Sequence, residues 1–308
     1  MKTFLVFWVE SFFYNPNTLQ KILAIFLSPF SFLYCFVVWI RFKFSTPESF
    51  GIDVISVGNL TVGGSGKTPL VTALANHYEN VAIVLRGYGR ESSGLHVVKD
   101  GSSILCDYHV SGDEAMIYAD KVSSAIVIVS EDRKEGILKA KELGARLVFL
   151  DDAYSKHAIE KLDFLIEVDA KNKFCLPAGP FREKVWSGKR VHKIVENLDF
   201  KRVVTLKDKC DKMSLATAIA RPQRLDPYLP DLVNKNYFPD HHNFTKDELE
   251  NILATDDVES ILVTYKDYVK VNSFGVPLSL LDLDVNVDKR IFKIIDNYIG
   301  RNKDAKKN

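Results

Sequence analysis

The sequence predicts an α/β protein: a doubly wound, mostly parallel sheet, a second, smaller α/β domain, and an N-terminal membrane-associated helical segment. Short apolar runs alternate with helix-compatible stretches after residue 50, as is typical of strands buried on both faces. A glycine-rich loop connects the first of these runs to a helix, and residues 22–40 lack any charged side chain. The predicted boundaries are residues 1–44 for the helical segment, 45–200 for the main domain and 201–308 for the smaller one.

The N-terminal segment contains two apolar stretches. Residues 22–40 form a run of nineteen uncharged residues, which is long enough to cross a bilayer. Residues 4–14 are also apolar and aromatic, interrupted by Glu10, and the sequence Asn15-Pro16-Asn17 predicts a break between two helices. We therefore expect both stretches to meet membrane lipid.

Four explanations compete for these stretches. A cleaved signal peptide is disfavoured because no small-x-small cleavage site follows the apolar run. A buried core helix is disfavoured because uncharged runs of this length are unusual in soluble folds. A pair of helices lying in one leaflet is favoured over a spanning helix because Pro29 interrupts the run, although membrane helices tolerate proline.

The main domain is predicted from its apolar runs. The predicted strands are residues 54–57, 81–85, 126–130, 147–150 and 164–168, and the helices between them are residues 70–77, 114–122 and 133–143. A parallel sheet of this kind binds its ligand at the carboxyl ends of the strands. A Gly- and Pro-rich connection at 176–180 closes the domain, and the smaller domain has predicted strands at 202–206 and 260–264 with a helix at 247–253.

Composition limits the possible partners and the compartment. The 308 residues are 46% hydrophobic and 26% charged, which is the profile of a folded protein. The 41 basic and 40 acidic side chains give a formal net charge of +1, so no global field favours nucleic acid, and nothing in the sequence implies a protein partner. The cysteines at 35, 106, 175 and 210 lack Cys-x-x-Cys spacing, which predicts neither a disulfide framework nor a zinc knuckle and favours a reducing, cytosolic compartment.

The loop after the first predicted strand has the composition of the phosphate-binding loop of P-loop NTPases. Its residues are Thr61, Val62, Gly63, Gly64, Ser65, Gly66, Lys67 and Thr68. Glycines let backbone N–H groups approach phosphate oxygens, the lysine carries charge to the β- and γ-phosphates, and the threonine offers a hydroxyl to Mg²⁺. The usual pattern begins with glycine where Thr61 stands. A turn that is glycine-rich only for tight packing is the alternative, but the strand, the Lys-Thr pair and the helix together favour nucleotide binding.

Carboxylates follow two apolar segments. Asp151 and Asp152 end a predicted strand, where P-loop enzymes hold Mg²⁺, although an aspartate pair can also cap a helix or solvate a strand end. Asp113 precedes a predicted helix and is a candidate base that accepts a proton from an attacking hydroxyl. Glu114 is a candidate metal ligand, but its spacing from Ser111 also fits a capping box.

Two further groups are candidates for the site. His241 and His242 precede Thr245-x-x-Glu248, a capping-box start, so they lie in a loop where either can face a site; an exposed polar loop or a metal site are the alternatives. Arg182 follows the Pro/Gly connection, and an arginine there can stabilise a transferred phosphoryl group.

In order along the chain, these segments resemble the tetraacyldisaccharide 4′-kinase (lipid A 4′-kinase) family. The resemblance rests on residues 55–69, 86–90, 112–114, 150–152, 177–183, 218–222 and 238–242. The family also lacks the first glycine of the phosphate loop, which accounts for Thr61.

The resemblance implies transfer of the γ-phosphoryl group of ATP to the 4′-hydroxyl of an acylated glucosamine disaccharide, at the cytoplasmic face of the bacterial inner membrane. It implies that Lys67 and Thr68 bind nucleotide and Mg²⁺ and that Asp151 and Asp152 bind the metal. It also implies that Asp113 is the base, supported by His241 or His242, and that Arg182 steadies the phosphate.

The chain departs from the family after its paired aspartates. Asp-Asp-Gly-Phe-Gln-His is expected, whereas the chain has Ala153, Tyr154, Ser155, Lys156 and His157 after the aspartates, so the sequence leaves open whether Ser155 or His157 takes a family role.

A membrane-associated P-loop GTPase switch is the main rival function, although no Asn-Lys-x-Asp guanine signature occurs. A metal-dependent phosphoesterase at residues 240–242 would leave the phosphate loop without a purpose.

Overall fold

Two β-sheets and an N-terminal helix pair make up the protein in the computed structural model, which describes residues 2–63, 66–219 and 222–305. The α-helices are α1 (Lys2–Tyr14), α2 (Thr18–Lys43), α3 (Lys67–Ala75), α4 (Tyr108–Ser111), α5 (Asp113–Lys121), α6 (Arg133–Glu142), α7 (Lys246–Asp256), α8 (Tyr265–Val271) and α9 (Lys289–Ala305). The strands of the larger sheet are β1 (Asp53–Gly58), β2 (Val81–Leu85), β3 (His96–Asp100), β4 (Ile126–Val129), β5 (Leu147–Asp151), β6 (Leu162–Ile166) and β7 (His192–Ile194). Those of the smaller sheet are β8 (Phe200–Lys207), β9 (Met213–Thr217), β10 (Lys235–Tyr237), β11 (Ser260–Thr264) and β12 (Leu278–Val287).

The larger sheet confirms the predicted doubly wound, mostly parallel architecture. Its strand order is β3-β4-β2-β5-β1-β6-β7, and β3 alone pairs antiparallel. Helices α3 and α5 contribute Leu70, Leu74 and Tyr118 to a core on one face, while α6 contributes Ile137 to a core on the other. Every residue of β1 is buried, and its Val57 is in register with Asp151 of β5. The loop after β1 and the carboxylates after β5 therefore emerge side by side.

The smaller sheet has the order β10-β9-β11-β12-β8, with β8 antiparallel to β12 and the other pairs parallel. It packs against the main domain because Val285 of β12, together with Ile291 and Ile295 of α9, joins the core that contains α3. The second α/β unit was thus correctly predicted, while the domain limits themselves stay a prediction.

The strand predicted at residues 164–168 was wrong by two residues, because β6 begins at Leu162 and ends at Ile166. Asp163 lies buried within this strand, where it pairs with Lys161 at 3.3 Å and Lys189 at 2.9 Å. A charged residue in a buried strand interrupts the apolar pattern on which the prediction relied. Five further strands, β3, β7, β9, β10 and β12, were not predicted from the sequence.

The N-terminal helices break where Asn15-Pro16-Asn17 predicted. Asn17 caps α2 in a capping box with Gln20. Within the described chain, α2 is the one helix long and apolar enough to cross a membrane, but only 17% of its most apolar window is buried. Its exposed apolar side chains are Leu19, Ile22, Ile25, Phe26, Phe30, Phe32, Leu33, Phe36, Val37 and Trp39. This exposure is opposite to what a core helix requires.

The opposite face of α2 docks on the segment 172–183. Ser31 Oγ donates to the Cys175 carbonyl at 2.7 Å, Tyr34 OH donates to the Arg182 carbonyl at 3.2 Å, and Arg41 Nη2 lies 2.6 Å from Glu183 Oε1. Cys35 and Cys175 form a disulfide across this contact. The prediction that the cysteines form no disulfide was therefore wrong. The two residues are 140 positions apart, so only the docking of α2 brings them together.

Candidate active site

The phosphate loop lies between β1 and α3, as predicted. Gly64 and Ser65 fall outside the described residues, whereas the loop residues on either side of them are described. Gly63 and Gly66 have φ values of 90° and 78°, a left-handed conformation that favours glycine. Lys67 Nζ donates to Asn59 Oδ1 at 3.1 Å and lies 3.7 Å from Asp152 Oδ1. Its charge is thus held between the carboxyl ends of β1 and β5.

Thr61 is extended and buried, which explains why a residue with a side chain occupies the place of the usual first glycine. Its backbone carbonyl and Oγ1 accept hydrogen bonds from Asn59 Nδ2 at 2.9 and 3.1 Å, and its backbone bridges to Phe181. The next residue, Val62, donates its N–H to the Pro180 carbonyl at 2.9 Å and accepts a hydrogen bond from Tyr14 OH. The start of the loop is therefore anchored to segment 172–183 and to α1.

Asp151 and Asp152 differ in their surroundings. Asp151 is buried, its Oδ2 accepts from Tyr118 OH at 2.9 Å, and its Oδ1 has no hydrogen-bond partner among the residues that the structure describes. Burial, with the neighbouring Asp152, raises the pKa of Asp151. Asp152 instead pairs with Arg182, and although burial opposes it, the charges of Lys67 and Arg182 lower the pKa of Asp152. Asp151 therefore has a buried oxygen that a cation can satisfy.

Glu114 faces Asp151 and serves no capping box. The N-cap of α5 is Gly112, and Ser111 Oγ donates to the Asp107 carbonyl at 2.8 Å. Burial, followed by the charge of Asp151, raises the pKa of Glu114 to about 7. Two carboxylates that disfavour each other's charge suit a divalent cation. Across the described ranges no group of three His, Cys, Asp or Glu side chains is placed to hold a metal ion. Mg²⁺ commonly keeps several waters and binds through one or two carboxylates plus phosphate oxygens.

Asp113 is buried at the start of α5, where it contacts one of the two predicted histidines. Its Oδ2 lies 3.0 Å from His241 Nδ1, 3.4 Å from Lys270 Nζ and 3.6 Å from Lys266 Nζ. Burial raises the pKa of Asp113, but the His241 hydrogen bond and these lysine charges outweigh it and lower that pKa to about 2. The carboxylate is therefore ionised throughout the physiological range.

His242 turns away from Asp113. Its Nε2 lies 3.1 Å from both carboxylate oxygens of Glu248, which also closes the capping box of α7 with Thr245. His241 has φ of 60°, and this left-handed residue directs the two adjacent rings to different elements. Of the two histidines, His241 is thus the one beside the candidate base.

Arg182 reaches the same two acceptors as Lys67, Asn59 and Asp152. Its Nη2 donates to Asn59 Oδ1 at 3.0 Å and also pairs with Asp152, and its backbone N–H donates to the Leu60 carbonyl at 2.9 Å. Two cations therefore converge on the end of β1, from the phosphate loop and from segment 172–183.

Several residues around the site were not predicted from the sequence. Arg133 is buried and donates to the Ser130 carbonyl at 2.6 Å, and burial lowers its pKa to about 10. Lys266 and Lys270 come from α8, which is anchored by Asp267 through Thr217 and Thr264, each at 2.7 Å. No sequence motif marks Lys266 and Lys270 as neighbours of the buried Asp113 carboxylate.

His157 does not reach the phosphate loop. It is buried, with Nε2 3.4 Å from Glu183 Oε1 and Nδ1 3.2 Å from Lys189 Nζ, and its ring packs edge-on against Phe42 of α2. The structure therefore places His157 in the contact between α2 and segment 172–183.

A mostly apolar cavity of about 260 Å³ opens beside the phosphate loop, between the two sheets. Gly66, Thr68 and Thr72 form its wall on the main domain, and the smaller sheet contributes Val204 and Leu281. The Arg202 side chain packs against the phosphate loop, so close that its Nη2 would lie 2.7 Å from a Cβ atom placed on Gly66. Arg202 Nε pairs with Glu196 at 3.0 Å. A cavity with apolar walls and a cation toward the phosphates suits a nucleoside.

Comparison with known proteins gives consistent results. The LpxK family model, described as tetraacyldisaccharide-1-P 4′-kinase, matches residues 23–215 and 201–300. A relative from Aliarcobacter butzleri is 42% identical over 97% of this chain and 99% of its own length, and one from Campylobacter jejuni strain RM1221 is 44% identical over 95% and 96%; both bear the name tetraacyldisaccharide 4′-kinase. The crystal structure of "apo" form LpxK from Aquifex aeolicus in complex with ATP superimposes with a TM-score of 0.71 at 24% identity, covering 90% of this chain and 99% of that one.

Proposed function

This chain belongs to the tetraacyldisaccharide 4′-kinase family, and we propose that it transfers the γ-phosphoryl group of ATP to the 4′-hydroxyl of a tetraacylated glucosamine disaccharide 1-phosphate. It is accordingly a kinase of lipid A biosynthesis, and the GTPase alternative has no support among its relatives. The observation that carries the chemistry is the Asp113–His241 contact of 3.0 Å.

Lys67, Arg182 and the phosphate loop act on the donor. Both cations lie around Asn59, at the carboxyl end of β1, where the γ-phosphate of a nucleotide in the loop would lie. Their charges stabilise the negative charge on the equatorial oxygens as the phosphoryl group moves. Positioning and charge stabilisation supply most of the catalysis in this type of reaction.

Asp113 acts on the acceptor. The 4′-hydroxyl oxygen attacks the γ-phosphorus, the bond to the β,γ-bridging oxygen breaks, ADP leaves, and the hydroxyl proton passes to Asp113. A carboxylate with a pKa of about 2 is a weak base. It therefore orients the hydroxyl and takes the proton late, once the forming P–O bond has made that proton strongly acidic. His241 fixes the orientation of the carboxylate.

Asp151, Glu114 and Thr68 would hold Mg²⁺. Asp151 Oδ1, which has no hydrogen-bond partner among the described residues, and the raised pKa of Glu114 fit a divalent cation. Asp152 already pairs with Lys67 and Arg182 and is the less suited of the two aspartates. When bound, the ion neutralises part of the charge on the β- and γ-phosphates.

The direct test of this function uses purified protein, γ-labelled ATP and the acylated disaccharide 1-phosphate. Label is expected in the lipid, at the 4′-position. Label that appears only as inorganic phosphate, with the lipid unmodified, would contradict the proposal.

The apolar cavity beside the loop binds the nucleoside part of ATP. Replacing Val204, which lines the cavity, with Phe is expected to raise the KM for ATP by about 10-fold with little change in kcat, because the added ring occupies the base site. Val203→Phe is the matched control, since adjacent side chains of β8 point to opposite faces and Val203 is exposed. An equal rise in KM for both variants would argue against the cavity as the nucleoside site.

The exposed apolar face of α2 attaches the protein to the cytoplasmic face of the inner membrane, where ATP is available. Because the other face of α2 docks on segment 172–183, the helix lies along the protein, which supports attachment to one leaflet. Replacing Phe26, Phe30 and Leu33 with Gln is expected to move most of the protein from the membrane to the soluble fraction in a sedimentation assay.

The matched control for this attachment replaces Leu198 and Val233, which are exposed apolar residues outside α2, and should leave the protein with the membrane. Point variants are preferable to removal of residues 1–44, because α2 also holds the Arg182 carbonyl and Glu183. A triple variant that sediments like wild type would contradict attachment through this face.

A further inference from the structure

Two cavities meet at a pair of lysines beside α2. The first, of about 220 Å³, runs along α2 and is lined by Ser31, Phe32 and Cys35. The second, of about 560 Å³, extends toward the phosphate loop and is lined by Leu60 and Thr61. Lys173 and Lys184 belong to the walls of both cavities. A ligand bound at these lysines would therefore contact the apolar helix on one side and the flank of the phosphate loop on the other.

The charges of Lys173 and Lys184 are available to a ligand. Both side chains are exposed, and neither makes an ion pair with any residue in the described parts of the chain. A third lysine of the larger cavity, Lys193, pairs with Glu167 at 3.5 Å, and Glu167 is the acidic residue in that wall. The two remaining ammonium groups therefore form a local positive site suited to a phosphate monoester.

The site is close to the reacting groups yet separate from them. Thr61 lines the larger cavity and accepts from Asn59, which in turn contacts Lys67 and Arg182. Phe181 also lines this cavity, and the next residue, Arg182, faces the donor site. The 1-phosphate and the 4′-hydroxyl lie at opposite ends of a disaccharide. An acceptor whose 4′-hydroxyl reaches Asp113 must therefore place its 1-phosphate at a second, separate site.

We propose that Lys173 and Lys184 bind the 1-phosphate of the acylated disaccharide while its acyl chains lie along the apolar face of α2 near Phe32. This inference rests on the proposed function and assigns a specificity site within it. The substrate carries a phosphate and acyl chains in one molecule, and the protein has a pair of lysines next to an exposed apolar helix. The phosphate can therefore contact the lysines while the acyl chains contact the helix.

The test measures kinase activity of Lys173→Gln/Lys184→Gln in neutral detergent micelles with two acceptors, the disaccharide 1-phosphate and the same lipid without its 1-phosphate. With the phosphorylated acceptor the KM is expected to rise about 10-fold or more while kcat and the KM for ATP stay within about 2-fold. With the dephosphorylated acceptor, wild type and variant should have the same KM. Lys201→Gln/Lys209→Gln removes the same charge elsewhere on the surface and should match wild type on both lipids.

Each contrary result is distinct. Equal losses on both acceptors would overturn the assignment, because the lysines would then not recognise the 1-phosphate. So would a defect confined to sedimentation with phosphatidylglycerol vesicles and absent in micelles, since it would show that the lysines bind anionic membrane lipid. Wild-type protein that phosphorylates neither lipid would contradict the proposed function, and this inference with it.

Discussion

Asp113→Asn is expected to lower kcat by about 10³-fold while leaving the Kd for ATP within about 3-fold of wild type. The amide has nearly the same shape as the carboxylate but cannot accept the hydroxyl proton. It also loses the charge that Lys266 and Lys270 surround at 3.6 and 3.4 Å. Asp113 contacts the acceptor side of the site, so donor binding should survive. Single-turnover kinetics and equilibrium ATP binding measure the two quantities separately.

The adjacent histidines provide a matched control for this prediction. His241→Ala is expected to lower kcat by about 10²-fold, because it frees the carboxylate that His241 Nδ1 holds at 3.0 Å. His242→Ala removes the same ring one position away, from a contact with Glu248, and should leave kcat within about 3-fold of wild type. Equal losses from the two histidine variants would contradict the assignment of His241 to the base.

Lys67→Ala is expected to weaken ATP binding and turnover together, lowering kcat/KM for ATP by about 10³-fold. In the proposed mechanism the Lys67 ammonium group contacts the phosphates before and during transfer, so the loss is expected in both the ground state and the transition state. The substitution also removes the ammonium group that lies 3.7 Å from Asp152 in the wild type. Of the two cations that pair with Asp152, Arg182 then remains.

Isothermal titration with ATP and initial-rate kinetics would measure the effects of Lys67→Ala. Lys209→Ala is a suitable control, because it removes one exposed lysine in the smaller domain and should leave both quantities unchanged. ATP affinity at the wild-type level in Lys67→Ala would show that the ammonium group does not bind the nucleotide.

Local sequence order was sufficient to predict that the phosphate loop and the paired aspartates lie side by side. Lys67 opens the helix that follows β1 and the phosphate loop, and Asp151 ends β5. Because β1 and β5 pair in parallel, their carboxyl ends must meet. The acceptor side depends on tertiary contacts. Asp113 and His241 are 128 residues apart. His241 rather than His242 faces Asp113 because His241 has a left-handed backbone and His242 contacts Glu248 in the capping box of α7. Neither feature can be derived from two adjacent histidines in a sequence.

Other features could not be predicted from the sequence because they also depend on tertiary contacts. The Cys35–Cys175 disulfide and the burial of His157 both follow from the way α2 docks on segment 172–183. The uncharged run and its length predicted that α2 meets the membrane, but they could not predict which residues its other face contacts. Lys266 and Lys270 influence Asp113 only because α8 packs beside α5.

The proposed base and its partner belong to different halves of the protein: Asp113 begins α5, which packs on the larger sheet, and His241 lies in a loop beside the smaller sheet. The pair therefore depends on the packing between the two sheets, where Val285, Ile291 and Ile295 of the smaller domain join the core that contains α3. A substitution that loosens this core would separate the proposed base from the histidine that orients it, although it touches neither residue.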